Sequence, residues 1–178
     1  PRLLDDGHVA AHVTLDRRRA EDDEDVTHGL AVFEHEVLAD AKHVQLVVEA
    51  PAQRVWVKAD AIRIEQVLDN LLSNALKFSP EGGIVKTQMK ADQKAGVLEV
   101  AVSDVGPGIP ADELPHIFER FYQGSTKSKH STPGSGLGLA LAKKVVEAHG
   151  GRIWIESEVK KGTTVRFILR LTKPGSTA

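Results

Sequence analysis

The stretch Asp60-Ala61-Ile62-Arg63-Ile64-Glu65-Gln66-Val67-Leu68-Asp69-Asn70-Leu71-Leu72-Ser73-Asn74-Ala75-Leu76-Lys77-Phe78 decides how the chain is read. Asp60 suits a helix N-cap, and Pro80 with Gly82-Gly83 ends the pattern. At about 100° per residue, Val67, Leu68, Leu71, Leu72 and Ala75 share one side of that helix. Arg63, Gln66, Asn70, Asn74 and Lys77 share the other. The apolar side predicts packing on a core. The polar side is unusual for a merely solvated face, because asparagine is a weak helix former and Glu, Lys or Ala would cost less there. Two carboxamides one turn apart, followed by a lysine, suit a hard cation beside a phosphate, since Mg²⁺ takes oxygen ligands. A plain exposed face is the other reading of the same residues.

Outward from this helix, hydrophobic spacing predicts an earlier helix from Thr27 to about Ala41, with Leu30, Phe33, Val37 and Leu38 at helical intervals. Val44–Val48 and Arg54–Val57 are β-rich runs that read as a hairpin-like pair about Ala50-Pro51-Ala52. Downstream, Ile84–Lys90 and Val97–Ser103 predict two strands joined near Gly96, Leu137–His149 predicts a helix, and Arg152–Ser157 and Thr164–Leu171 predict two more strands. The long Gly-, Pro-, Ser- and Lys-rich stretch from Asp104 to Gly136 holds one short helical pattern, about Glu113–Phe121. A loop of that length in a compact domain is usually functional or disordered. Hairpin-joined strands with interspersed helices predict a mixed sheet covered by helices on one face. Residues 1–26, with their charge blocks, read as a connector, 27–172 as one domain and 173–178 as a tail.

Composition narrows the function. The chain has 178 residues, 25 acidic and 23 basic, with a formal net charge of −2, eight histidines and no cysteine. That excludes a disulfide framework and a cysteine–zinc site. It argues against a nucleic-acid binder, which would be basic, and the aromatic content of 4% leaves little for a base-stacking platform. No apolar run approaches the span of a bilayer. A start at Pro1 with Met89 as the sole methionine reads as a piece of a longer protein.

Glycine clusters carry the rest. Asp104-Val105-Gly106-Pro107-Gly108-Ile109 follows a predicted strand, where glycines let the backbone approach a ligand or simply make a turn. Gly134-Ser135-Gly136-Leu137-Gly138-Leu139 opens a helix, a place where exposed N–H groups and the helix dipole favour an anion. It meets neither the dinucleotide fingerprint nor the P-loop spacing. Gly162-Thr163-Thr164 opens the last strand and, taken alone, is a hairpin turn.

In order, Asn70-Leu71-Leu72-Ser73-Asn74-Ala75-Leu76-Lys77-Phe78, Asp104-Val105-Gly106-Pro107-Gly108-Ile109, Ile117-Phe118-Glu119-Arg120-Phe121-Tyr122 and Gly134-Ser135-Gly136-Leu137-Gly138-Leu139-Ala140 resemble the N, G1, F and G2 boxes of the catalytic, ATP-binding domain of bacterial sensor histidine kinases. The resemblance covers roughly Val26 to Leu171. It implies a two-layer α/β sandwich of the Bergerat type, with a mixed, mostly antiparallel sheet and helices on one face. It implies ATP and Mg²⁺ as ligands. Asn74 would coordinate Mg²⁺, Asn70 would support the same site, and Lys77 would contact phosphate. Asp104 would accept from the adenine amino group. Gly106 and Gly108 would wrap the base, Ile109 would pack on it, and Phe78 would line the pocket. Gly134, Ser135, Gly136, Leu137 and Gly138 would position phosphates and hinge a lid over about Gly124–Pro133, and Thr163 would help bind adenine through water. Phe118, Phe121 and Tyr122 are expected to pin the short helical segment to the core, and the resemblance implies that they also couple the lid to a partner domain.

Related self-contained ATPases carry a glutamate base at the place of Asn70. An amide cannot be that base, which favours transfer to a side-chain nucleophile. A degenerate, binding-only module and a self-contained ATPase are the competing readings. Relatives also often carry arginine where Gln123 stands. No histidine here has the phosphoacceptor pattern. His35-Glu36 comes nearest, but Val37-Leu38-Ala39-Asp40 lacks its arginine and Thr-Pro. The phosphoacceptor is therefore expected on a dimerisation domain outside this chain, whose last helix would end within residues 1–26. The resemblance further implies a response regulator downstream, a monomeric isolated domain in the cytoplasm, no membrane insertion of this piece, and a full-length protein that can be anchored in the inner membrane.

Overall fold

A computed structural model describes residues 10–13 (main chain only), 35, 37–51, 53, 55–125 and 135–172. Its elements are β1 (Ala10–Val13), β2 (Gln45–Glu49), β3 (Val55–Lys58), α1 (Ala61–Phe78), β4 (Ile84–Asp92), β5 (Val97–Asp104), α2 (Gly138–Ala148), β6 (Arg152–Glu158) and β7 (Gly162–Thr172). The seven strands make one sheet in the order β1-β3-β7-β5-β4-β2, with β6 paired to β7. Among the described residues only the β2–β4 pairing is parallel. Both helices pack on the same face. The architecture is the expected α/β one, a mixed, mostly antiparallel sheet with one helical layer.

Local chemistry makes these elements. Asp60 caps α1, its carboxylate accepting from the Arg63 N–H at 3.1 Å. The apolar side of α1 is buried as its spacing requires: Val67, Leu68, Leu71, Leu72 and Ala75 are each at most 4% exposed. They meet residues that alternate along the strands (Val85 and Met89, Leu98 and Val100, Phe167 and Leu169) together with Ala142, Val145 and Val146 of α2. Among the described residues Phe167 is the largest fully buried side chain, and it belongs to this core. The other sheet face carries charge, with Arg166 bonded to Glu99 at 2.9 Å and to Glu156 at 3.2 Å.

Four expectations are corrected. The runs at Val44–Val48 and Arg54–Val57 do not pair with each other. β2 runs parallel to β4 at one end of the strand order, whereas β3 pairs with β1 and β7 at the other. Residues 10–13, expected within a connector, form β1 against β3. Residues 37–41 are helical, but the face turned inward holds His35 and Ala39, at 8% and 2% exposure, while Val37 and Leu38 are exposed. Leu30 and Phe33 lie outside the described residues. Finally, Glu113–Phe121 is no α-helix. Glu113 N–H donates to Pro110 O, His116 to Glu113 O and Glu119 to His116 O, a staircase of i→i+3 turns. Pro115, lacking an N–H, breaks the i→i+4 ladder there.

Candidate functional site

The polar side of α1 presents Asn70, Asn74 and Lys77 along one half-buried stripe, with Phe78 at its end. Asn70 donates its amide N–H to Gln66 O at 2.8 Å, which leaves Oδ1 facing the start of α2. There Gly138 packs so closely that a Cβ would stand 2.9 Å from Asn70 Oδ1. Among the described residues no side chain caps α2, and Ser135 Oγ accepts from the Leu137 N–H at 3.3 Å. Gly136, at φ +69°, takes the backbone through a left-handed turn tied to the Phe121 N–H at 2.9 Å. The sequence-predicted Ser135, Gly136, Leu137 and Gly138 thus bring the uncapped end of α2 against the carboxamide stripe. Gly134 lies outside the described residues, as do residues 126–133 of the expected lid. The Lys77 ammonium lies 5.4 Å above the Phe78 ring.

The second half of the site is the loop after β5. Asp104 ends that strand opposite Thr163 of β7. Its Oδ1 accepts the Gly106 N–H at 2.7 Å. Burial raises the Asp104 carboxyl above the ordinary aspartate value, against the lowering effect of the N–H donors of Gly106 and Thr163. An acceptor held partly desolvated in this way is suited to a buried N–H donor of a ligand. Gly106 is pressed between Asp104 Oδ1 and Phe78 O, so loop and helix meet main chain to main chain.

The later part of the loop is stapled to the β6–β7 turn. Ile109 N–H donates to Ser157 Oγ at 2.8 Å, and Lys160 N–H donates to Pro107 O at 2.7 Å. Ser157 Oγ in turn reaches Gly162 O and Thr163 Oγ1, both at 2.9 Å. A Cβ on Gly108 would overlap the Glu158 carbonyl, so that glycine is required first by the turn it packs on. Thr163 shares its hydroxyl with Ser157 and its main chain with Asp104.

The aromatic block splits. Phe118 packs on the core beneath the Lys143 ammonium, 5.8 Å from its ring. Phe121 is 71% exposed at φ +65°. Tyr122 hydrogen-bonds Glu113, whose carboxylate also accepts from the Ser125 N–H at 3.1 Å and from the Ser125 hydroxyl. Those donors hold the Glu113 carboxyl below its ordinary value.

Sequence reading missed several residues that hold the site. Ser157 and Glu113 lie outside any motif, and only the fold brings them to their partners. His149 ties the two helices: its Nε2 accepts the Asp60 N–H at 3.0 Å while Nδ1–H donates to Val145 O at 2.7 Å. His35, the nearest match to a phosphoacceptor, is buried with Nε2 3.6 Å from Asp69 Oδ1. Among the described residues no cluster of His, Cys, Asp and Glu could hold a metal, and no helix is long and apolar enough to cross a membrane.

Residues 59–173 match the family of histidine kinase-, DNA gyrase B- and HSP90-like ATPases. The chain is 43% identical over 128 residues to the sensor histidine kinase WalK of Bacillus subtilis (strain 168), covering 72% of this chain but only 21% of that protein. The mycobacterial sensor histidine kinase MprB superposes with a TM-score of 0.69 at 31% identity, over 80% of this chain and 94% of that structure. Full-length ShkA, solved in complex with AMPPNP, superposes with a TM-score of 0.73 at 26% identity, over 92% of this chain and 33% of that one. The matched segment, the sheet with its helical layer and the paired site elements lead to one assignment: the chain belongs to the histidine kinase-, DNA gyrase B- and HSP90-like ATPase family, as a catalytic domain of the sensor histidine kinase kind.

Proposed function

We propose that this domain binds Mg-ATP and transfers the γ-phosphoryl group to a histidine on a dimerisation domain outside the chain, for relay to a response regulator. The observation that carries the reading is the approach of Gly138 to Asn70 Oδ1, which sets an uncapped helix N-terminus against the carboxamide stripe of α1. Backbone N–H groups and a helix dipole suit phosphate oxygens. Lys77 adds a positive charge beside them. Asn74 offers a neutral, half-buried oxygen of the kind a hard cation accepts when phosphates complete its shell. Mg²⁺, when bound there, would neutralise phosphate charge. At the far end, Asp104 would accept the adenine amino group, with Phe78 and Ile109 along the ring and Gly106 and Gly108 setting the loop's path. The complex of ShkA with AMPPNP supports an adenine nucleotide as the ligand.

Phosphoryl transfer asks the protein mainly for position and charge stabilisation. The nucleophile is an imidazole nitrogen of the acceptor. It forms a bond to the γ-phosphorus as the bond to the bridging oxygen breaks, and ADP leaves with that electron pair. Neutral imidazole needs no added base, and Asn70 supplies none, so transfer is favoured over hydrolysis. The test is calorimetric titration of the chain with Mg-ATP, followed by labelled ATP with a separately made dimerisation domain. Binding and phosphohistidine are expected. Absence of binding overturns the reading; binding without phosphohistidine leaves an interaction module; turnover without an acceptor marks a self-contained ATPase.

A further inference from the structure

We infer that Lys42 is a positioning residue of this site, fixing how α1, with its phosphate-facing stripe, sits against the adenine-facing loop after β5. The inference rests on the nucleotide-binding reading above. Lys42 lies outside every motif, in the turn that precedes β2. Its ammonium donates to Leu76 O at 2.8 Å, Lys77 O at 3.0 Å and Ser79 O at 2.6 Å. An ammonium has three N–H donors, so its capacity is filled by main-chain oxygens at the end of one helix. The last carbonyls of a helix lack intrahelical partners and carry negative partial charge, and a cation answers both needs.

An ordinary helix cap would end there. Here the gripped carbonyls of Lys77 and Ser79 flank that of Phe78, and Phe78 O is the atom against which Gly106 packs, with 2.7 Å between it and an added Cβ. Holding the peptide groups on either side of Phe78 therefore sets the plane of the carbonyl on which the Asp104–Ile109 loop rests. Lys42 is itself held in place. Its N–H donates to Ala39 O at 3.1 Å, its carbonyl accepts from Gly82 N–H at 3.3 Å, and Gln45 N–H donates to Gly83 O at 2.9 Å where the chain enters β2. Sheet edge, helix end and adenine loop are thus linked through one side chain. Arginine presents a planar fork, which cannot converge on three oxygens as an ammonium does.

The experiment compares the chain with K42M by amide NMR and by calorimetric titration with Mg-ATP, at a temperature where melting curves show both fully folded. Positioning predicts displaced amide resonances at Gly106 and Asp104 in K42M, beyond the residues Lys42 touches, and an affinity for Mg-ATP weakened about tenfold. Shifts confined to residues 76–83 with unchanged affinity would reduce Lys42 to a helix cap and overturn the inference. Should K42M not fold, K42R, which keeps the charge, is read by the same two measurements, and an unmoved Gly106 resonance with unchanged affinity overturns the inference equally. If the unaltered chain takes up no Mg-ATP, the nucleotide reading fails by itself, and the Gly106 resonance alone decides the role of Lys42.

Discussion

The main-chain oxygen of Phe78 leaves no room for a side chain at Gly106: a Cβ there would stand 2.7 Å from that oxygen and 2.7 Å from Asp104 Oδ1. Phe78 O is main chain, and Asp104 Oδ1 is held by the Gly106 N–H, so G106A must push the loop off the helix. The expected result is a folded protein whose affinity for Mg-ATP falls by about tenfold or more, since misplaced binding groups lose most of their effect. Calorimetry alongside a melting curve checks it; unchanged affinity in G106A would show that loop and helix do not share one ligand.

Asp104 gives a pH prediction. Its folded carboxyl is raised by burial, so its contribution to stability is present below the ordinary aspartate value and lost as pH rises through the folded value. An adenine amino donor favours the ionised form, so nucleotide binding should release a proton in the acid range. Affinity should fall as pH drops through the folded value, and titration in buffers of different ionisation enthalpy should register the proton. D104N should lose that pH dependence and bind about 10- to 100-fold more weakly, the range for a hydrogen bond to a charged group.

Gly162 adopts φ +101°, and a Cβ there would overlap the Asp104 carbonyl. G162A therefore meets both backbone strain and a main-chain clash. A destabilisation of more than about 2 kcal/mol is expected by urea denaturation. A melt indistinguishable from the unaltered chain would mean that the β6–β7 turn is freer than its packing indicates.

Phe121 holds a left-handed backbone while 71% exposed, so its side chain contributes little to this domain's own stability. F121A should leave the melting temperature within about 2 °C, as for a surface substitution, and leave Mg-ATP affinity unchanged. Phosphorylation of a supplied dimerisation domain should fall. F121G should melt no lower than F121A, because glycine takes positive φ without penalty.

The Glu113 carboxyl, lowered chiefly by the Ser125 hydroxyl and further by the Ser125 N–H and Tyr122, contributes stability present above the ordinary glutamate value and lost as pH falls through its folded value. E113Q should speed hydrogen exchange at the Ser125 amide near neutral pH. The unaltered chain should show the same acceleration only in acid.

How legible all this was depended on the range over which each residue acts. The Val67–Ala75 stripe, the Asp60 cap and the start of α2 at Gly138 are local, and their spacing foretold them closely. The chain's change of sheet edge after β2 was not visible, because a β-rich run does not encode its partner. Val37 and Leu38 fit helical spacing yet face outward, because His35 and Ala39 occupy the inward side. In the site, the described motif residues fall on the helix, loop and helix start that their spacing assigns, while the groups that hold them, Ser157, Glu113, His149 and Lys42, act across distances of up to 89 residues that no short pattern spans.

β7 bonds to β3, β5 and β6 and joins otherwise separate parts of the sheet. It is also the last strand in chain order. Without β7 the remaining native pairings are β2–β4–β5 and β1–β3, β6 has no partner strand among the described residues, and Phe167 is not there to fill the core. Asp104 gains Thr163 at the start of β7, and the sheet closes onto β3 only with Leu171 and Thr172. The Asp104 end of the site therefore waits on the last of the described strands, and a chain cut short within β7 should be a substrate for proteolysis.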